Sequence, residues 1–397
     1  MKTKEIYSDV LVVGAGISGI AAAISASRSG GKTILIEKNS SPGGIAISDQ
    51  HRYICGLYPK NTGIAREIIG GLQKLSPENQ FIRMGKLSAF YYRPESLKLV
   101  LHKLLRQENN LKVFYNCKII KVKKNKNSIV SLEATKNLGS VQNQEPNLKF
   151  APRVVIDASG QGNVIKLSKA KYLLTPLASR QLSGFTFQLR GLRNASDLLA
   201  IKVPYYLSLA VKQKRLPAYF KFTNFAYGAT KNSGIIKVNL PPKNTPRGKQ
   251  VVKKITALVH AYLRKTLPEF KNTRLGWVSS GIHEREGLRL YGGHILTEQN
   301  VLSARKFPDA IAKGYWPIEF WHPLKGPQIK YLKTGEFYEI PLRCLKSKNI
   351  VNLLATGKCI SATSVALASS RVTGTCIYLG EAAGRAAGLA GEKRGAR

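Results

Sequence analysis

Negative charge is what this sequence has least of: 22 Asp and Glu stand against 63 Lys and Arg, a formal net charge of +41. That excludes an acidic, solvating chain and describes a surface that attracts anions, whether nucleic acid, acidic lipid headgroups or a polyanionic substrate. The shortage is deepest between Asp157 and Glu269, where Asp197 is the sole carboxylate. Because the basic residues are dispersed and no nucleic-acid motif with interleaved aromatics accompanies them, a solvated basic face without a partner is the simpler account. Cysteine is also scarce. Cys55, Cys117, Cys344, Cys359 and Cys376 are scattered, odd in number and without CxxC spacing, so the sequence supports neither a disulfide framework nor a zinc site. The cysteines are expected to be reduced, and no metal is expected. Long apolar runs are missing as well. The N-terminal one is broken by a glycine turn and is amphipathic beyond it, which excludes a signal peptide or a membrane anchor there and leads to an expected cytoplasmic location. There is no internal repeat and no low-complexity tract.

What is present is enough apolar residue, 43% over 397 positions, to bury a substantial core in two or three domains. The most informative stretch is "VVGAGISGIAAAISASRSGGKTILIEK", residues 12–38. Residues 9–13 read as an apolar strand, 14–19 as a turn, 17–30 as a helix of small residues, and 33–36 as a second strand ending on Glu37. In this βαβ unit Gly14 makes the tight turn, Gly16 lets a pyrophosphate approach the helix N-terminus, and Gly19 with Ala23 lets the helix press close. Glu37 stands at the distance where a carboxylate accepts hydrogen bonds from ribose hydroxyls. Dinucleotide binding follows, and the motif serves NAD and FAD equally.

Beyond it, "NSSPGGIAIS" is a turn-rich loop whose Gly43 and Gly44 permit close backbone approach to a ligand. Residues 61–75 and 93–106 are predicted helices. Strands at 112–115, 119–124 and 129–135 are predicted to form an antiparallel meander, and "RVVIDASGQGN" supplies a further buried strand. From 171 to 268 the texture changes, with strands in "GFTFQLRGL" and "GIIKVNL" and a loop in "PPKNTPRGK". The aromatic stretches "VPYYLSLAV" (203–211) and "YFKFTNFAY" (219–227) read as core strands, or as a lipid-handling surface. Near the end, 350–355 is predicted as a buried parallel strand emptying into a glycine turn at Gly357, followed by a helix of period-four glycine and alanine at 371–390.

These blocks, together with "HEREGLRLYGGHILTEQNV", "YWPIEFWHP" and "YEIPLRCLKSKNIVNLLATGKCISATSVALASSRVTGTCIYLGEAAGRAA", resemble the FAD-dependent oxidoreductase family, a branch of the glutathione-reductase-like two-domain flavoproteins. The likeness covers both ends of the chain well and 171–268 hardly at all. It implies an α/β protein: a Rossmann-like FAD-binding domain with a parallel sheet and an antiparallel meander, plus a second, mostly β substrate domain. The boundaries are 1–170 for the first part of the FAD domain, 171–335 for the substrate or cap domain, and 336–397 for the return. It also implies FAD lying extended. Adenosine would rest on Glu37 and Lys38 with Ile120 against the adenine, and the pyrophosphate over Gly14, Ala15, Gly16, Ile17, Ser18 and Gly19. Gly43, Gly44, Ile45 and Ala46 would line the flavin side, and Ala158 and Gly160 the far wall. Gly357 and Lys358 would approach the ribityl chain. Val372, Thr373 and Thr375 would sit under the pyrimidine ring, where a helix N-terminus steadies negative charge on reduced flavin.

The flavin supplies the electron chemistry, so the protein positions a small or medium organic substrate and moves a proton. His322 in "EFWHP" is the leading proton carrier of six histidines, weighed against a structural histidine. Arg285 and Arg289 either clamp a substrate anion or pair with Glu284 and Glu286 as a structural network. Cys55 faces the flavin or is a buried small residue; His51, Tyr53 and Tyr58 shape the pocket; Ser361 and Ser364 are backbone caps. The rival readings are a flavoprotein bound through its basic middle domain to RNA or acidic membrane lipid, and an isoprenoid-reductase-type enzyme.

Overall fold

The structure, a computed structural model, describes residues 5–48, 51–136, 147–194, 196–228, 230–241, 248–279 and 281–392. The first apolar run forms a strand, Glu5–Val13, and Gly14 turns it at φ 104° into the opening helix, Ile17–Arg28. Alanine, serine and isoleucine bury this helix on every side up to Ser27. Thr33–Ile36 then lies parallel to the first strand, with Val13 opposite Ile36.

Around this βαβ unit five parallel strands line up in the order Leu111–Phe114, Thr33–Ile36, Glu5–Val13, Leu148–Asp157 and Leu353–Ala355. The segment expected at 112–115 is thus an edge strand of the parallel sheet and not part of the meander. The helices Gly63–Leu75 and Pro94–Arg106 lie in its connection, and a parallel neighbour needs such a long crossover. The meander consists of Cys117–Asn125, Ser128–Lys136 and the first residues of Leu148–Asp157. That last strand shares one edge between two partners: Ser128–Lys136 at its start and Leu353–Ala355 at its end.

The closing helix, Thr373–Glu392, lies against the opening one. Its period-four glycines explain how. A Cβ on Gly380 would stand 2.1 Å from the Ser18 carbonyl oxygen, one on Gly384 2.1 Å from that of Ala22, and one on Gly388 3.2 Å from that of Ala26. Real Cβ atoms do not approach backbone oxygen as closely as 2.1 Å, so only glycine allows this depth of packing.

The chain divides into two compact units. The first comprises 1–174, 286–320 and 329–397; the second 175–285 and 321–328. Residues 286–320, expected in the second domain, therefore belong to the first unit. The second unit holds a four-stranded antiparallel sheet in the order Asn224–Tyr227, Ser233–Leu240, Ser183–Arg190 and Arg274–Val278. Two helices, Leu199–Lys212 and Lys249–Thr266, share its core with Phe185, Phe187, Phe220, Ile236 and Phe270. Residues 203–211 are hence helical and not a strand. Of 219–227, only Asn224–Tyr227 is extended, after a short 3-10 turn. Leu199, Val203, Leu207 and Ala210 recur at helical spacing on the buried side, and this periodicity outweighed the β propensity of the paired tyrosines.

Candidate active site

The carboxyl ends of the parallel strands are stitched in a row: the Gly14 amide donates to Ile36, Ala158 to Val13, and Thr356 to Asp157, at 2.7, 2.9 and 3.1 Å. In open α/β sheets this end is where ligands bind. Three glycine roles separate here by what a side chain would meet. At Gly14 a Cβ would lie 2.7 Å from the Ala158 carbonyl oxygen, and at Gly19 1.8 Å from the Gly14 oxygen, so both are required by the turn itself. A Cβ on Gly16 would meet nothing within 4 Å, and its backbone, φ −67° and ψ 171°, suits any residue. The turn therefore opens space directly before the first helical amides, which have no intrahelical acceptor. Gly44, at φ 55°, brings the next loop in: its Cβ would be 3.2 Å from the Gly16 Cα, and the Gly43 amide donates to Ala15 at 2.7 Å. Ile45, 39% exposed, follows on that loop, and Ala46 is buried.

Glu37 is buried, and its carboxylate accepts the Ala15 amide at 2.8 Å and the Asn39 amide at 2.9 Å. These bonds fix it at the strand end and leave lone pairs for further donors. Lys38 is exposed beside it. Ile120 is half-buried and sits at the register shift in Cys117–Asn125, on a strand whose first amide donates to the Glu37 carbonyl.

On the far side, Asp157 holds the "DASGQGN" turn. Its carboxylate accepts the Ser159 hydroxyl at 2.6 Å and the Ile165 amide at 3.0 Å, and burial pushes it above the usual carboxylate range against those bonds. Ala158 and Gly160 follow, half-buried, and the Lys358 side chain lies over Gly160, 3.2 Å from where a Cβ would stand. Gly357 turns at φ 63° against Ser18, whose hydroxyl is 2.8 Å from that of Thr356. Thr356 escaped the sequence reading. Its signal was a hydroxyl directly after a buried strand and before a glycine turn.

Val372 and Thr373 are half-buried at the start of the closing helix, while the Thr375 hydroxyl is buried and has no hydrogen-bond partner among the described residues. Gly56 and Gly374 let the loop after Cys55 press onto this end: a Gly374 Cβ would be 2.7 Å from the Cys55 carbonyl oxygen. Tyr58 stacks on Tyr378 at 3.5 Å between ring centres, so it belongs to the packing behind that loop. Tyr53 is partly exposed beside Tyr91, and the His51 amide donates to Ser48. All five cysteines are free thiols. Burial raises Cys117 to about 11 and Cys344 and Cys376 to about 12, and raises Cys359 as well, which leaves these four thiols protonated.

The remaining candidates have structural occupations. Arg289 forms a fully buried ion pair with Glu286 at 2.8 Å, and Glu286 also accepts the Ser364 hydroxyl at 2.9 Å. Ser364 is thereby no cap. That role falls to Thr363, which accepts the Ala366 amide, and Ser361 is buried with an unbonded hydroxyl among the described residues. In the second unit, Arg285 donates to the Leu182 carbonyl and to Asn239 while lying over the Trp321 ring at 4.4 Å. His322 Nδ1 accepts the amides of Leu324 and Lys325 at 3.0 and 3.1 Å. Both bonds engage the same ring nitrogen and tie the imidazole to the turn that follows it.

A parallel sheet of this topology, with a glycine turn at its carboxyl end, defines a Rossmann-like α/β protein. The family model described as FAD dependent oxidoreductase matches residues 9–396. The chain belongs to the FAD dependent oxidoreductase family, and FAD is the cofactor of that family. Among curated proteins, the sarcosine oxidase subunit alpha of Rhizobium meliloti (strain 1021) is 49% identical over 43 residues, 11% of this chain and 4% of that protein. Among solved structures, a geranylgeranyl bacteriochlorophyll reductase-like protein from Thermoplasma acidophilum is 13% identical, with 99% of this chain and 80% of that one covered and a TM-score of 0.46. For a flavin-dependent brominase the figures are 12%, 97%, 80% and 0.49. For the anhydrotetracycline hydroxylase of Streptomyces rimosus they are 13%, 69%, 52% and 0.45, so the chain spans about half of that structure's length.

Proposed function

We propose that this chain is an oxidoreductase that moves a hydride equivalent to or from a small or medium organic substrate, with FAD held along the carboxyl edge of the first unit. Bound there, FAD supplies the electron chemistry. Glu37 and Lys38, with Ile120, would hold the adenosine, and residues 14–19 the pyrophosphate. Gly43, Gly44, Ile45 and Ala46 would line one side of the flavin half, and Ala158, Gly160, Gly357 and Lys358 the other. Val372, Thr373 and Thr375 would meet its pyrimidine end. The open space before Gly16 carries this reading, because a turn packed only for its own sake would fill it. A second support is the unpartnered Thr375 hydroxyl, buried where a polar ligand atom would satisfy it.

Proton handling is not assigned to His322, whose lone pair is engaged, nor substrate clamping to Arg285 or Arg289, whose guanidinium groups are already committed. The deciding experiment compares the visible spectrum of the purified protein with that of Gly16→Leu. The wild type is expected to carry or take up FAD and to bleach anaerobically with a substrate from a panel. Gly16→Leu should keep the same thermal unfolding while FAD affinity falls by about a hundredfold or more, some 2.7 kcal/mol. Unchanged FAD occupancy in Gly16→Leu defeats the assignment.

A further inference from the structure

The second unit exposes an apolar stripe that its own core does not use. We propose that the outward face of the helix Leu199–Lys212 docks the protein peripherally on bilayers rich in anionic lipid. The inward face of this helix is fully buried. Opposite it, Leu198, Ile201 and Tyr205 are 57%, 69% and 61% exposed. At about 3.6 residues per turn these three fall in one narrow sector, which Lys212 continues. The other helix of the unit, Lys249–Thr266, turns Val252, Ile255, Val259 and Leu263 inward and Lys253, Lys254, Arg264 and Lys265 outward, with Leu258, 42% exposed, among them. The two helices are joined where the Tyr262 hydroxyl donates to the Tyr206 carbonyl at 3.0 Å. One offers water a mostly charged face with a single leucine, the other a contiguous row of leucine, isoleucine and tyrosine.

The surrounding charge selects the occupant. In this unit the carboxylates are Asp197, Glu269 and Glu284. Asp197 is met by Lys231 at 3.3 Å and Glu269 by Lys202 at 2.9 Å. Lys212, Lys214, Arg215 and Lys221 stand exposed beyond the end of the stripe. Apolar side chains entering the acyl boundary, with cations at phosphate level beside them, are the composition of an interfacial surface. A nucleic acid gives Leu198 and Ile201 nothing to bury against, and a second copy brings the same uncompensated positive charge. No described helix is long and apolar enough to cross a membrane, so the attachment is peripheral. The inference is independent of the flavin reading.

The test is co-sedimentation of the whole chain with vesicles of phosphatidylcholine alone or with about a third phosphatidylglycerol, at low and physiological salt. Binding is expected to the anionic vesicles only and to weaken with salt. Ile201→Asp should cut it about tenfold or more with unchanged thermal unfolding, since that side chain lies outside the core, and Lys212→Glu about fivefold or more. The proposal is overturned by absence of binding, by equal binding of wild type and Ile201→Asp, by RNA that displaces the vesicles from the wild type, or by light scattering in which Ile201→Asp turns a dimer into a monomer.

Discussion

At the scale of single residues, identical side chains take different jobs from their surroundings. Gly14 and Gly19 are held by steric contacts of the turn, while Gly16 faces open space, the division of roles that the motif predicts. Arg285 and Arg289, four positions apart, are likewise separated: one lies over an aromatic ring, the other in a buried ion pair. Arg289→Met should cost about 3–5 kcal/mol by stranding Glu286 in the interior, and adding Glu286→Leu should recover much of it. Denaturant melts of the two variants check this; an Arg289→Met protein of native stability would return the arginine to the list of substrate ligands. Asp157 gives the pH dependence. Burial lifts its native pKa, so the native state binds the proton more tightly than the unfolded chain, and its contribution to stability is fullest at low pH and declines as pH rises through the native value. The advantage of wild type over Asp157→Asn should therefore be larger near pH ~4 than at neutral pH. Urea midpoints across that range measure it, and an advantage growing with pH would show that the hydrogen bonds to the carboxylate outweigh its burial.

At the scale of elements, the opening and closing helices decide the first unit. Their glycine and alanine pattern was legible as close packing, but its partner was not, since the two segments lie more than 300 positions apart. Gly384→Leu forces a side chain where the Ala22 carbonyl oxygen already lies. It should destabilise by about 3 kcal/mol or more, beyond ordinary overpacking because backbone gives way less readily than side chains. A stability within ~1 kcal/mol of wild type would mean that the helices separate at small cost, contrary to this packing. The strand at Leu111–Phe114 teaches a related lesson. Its residues read as a strand, yet its direction depends on the helices preceding it. The helix Leu199–Lys212 was missed because it is apolar on both faces, which hides helical periodicity from a reader looking for a polar side.

At the scale of the whole molecule, cofactor and charge act on different units. A ligand that binds only the folded state stabilises by mass action, about 2.7 kcal/mol at a hundredfold excess over its Kd. FAD should accordingly raise the unfolding temperature of the wild type in a concentration-dependent way and leave Gly16→Leu unmoved. Equal shifts for both proteins would point to binding elsewhere. The positive charge, dispersed in sequence, becomes meaningful in the second unit because most of its carboxylates are already paired while an apolar helix face stands beside exposed lysines.

The sequence alone determined the βαβ unit, its glycine turn, the terminal Glu37 and the return of the chain to the first domain, because each rests on contacts between near neighbours or on a short motif with one geometric solution. Tertiary structure decided what required distant partners: the unit to which 286–320 belongs, the pairing of Arg289 with Glu286, the engagement of His322, and the apolar face left open on Leu199–Lys212. Burial and hydrogen-bond partnership are properties of a packed neighbourhood, and a side chain acquires them only when the chain has folded around it.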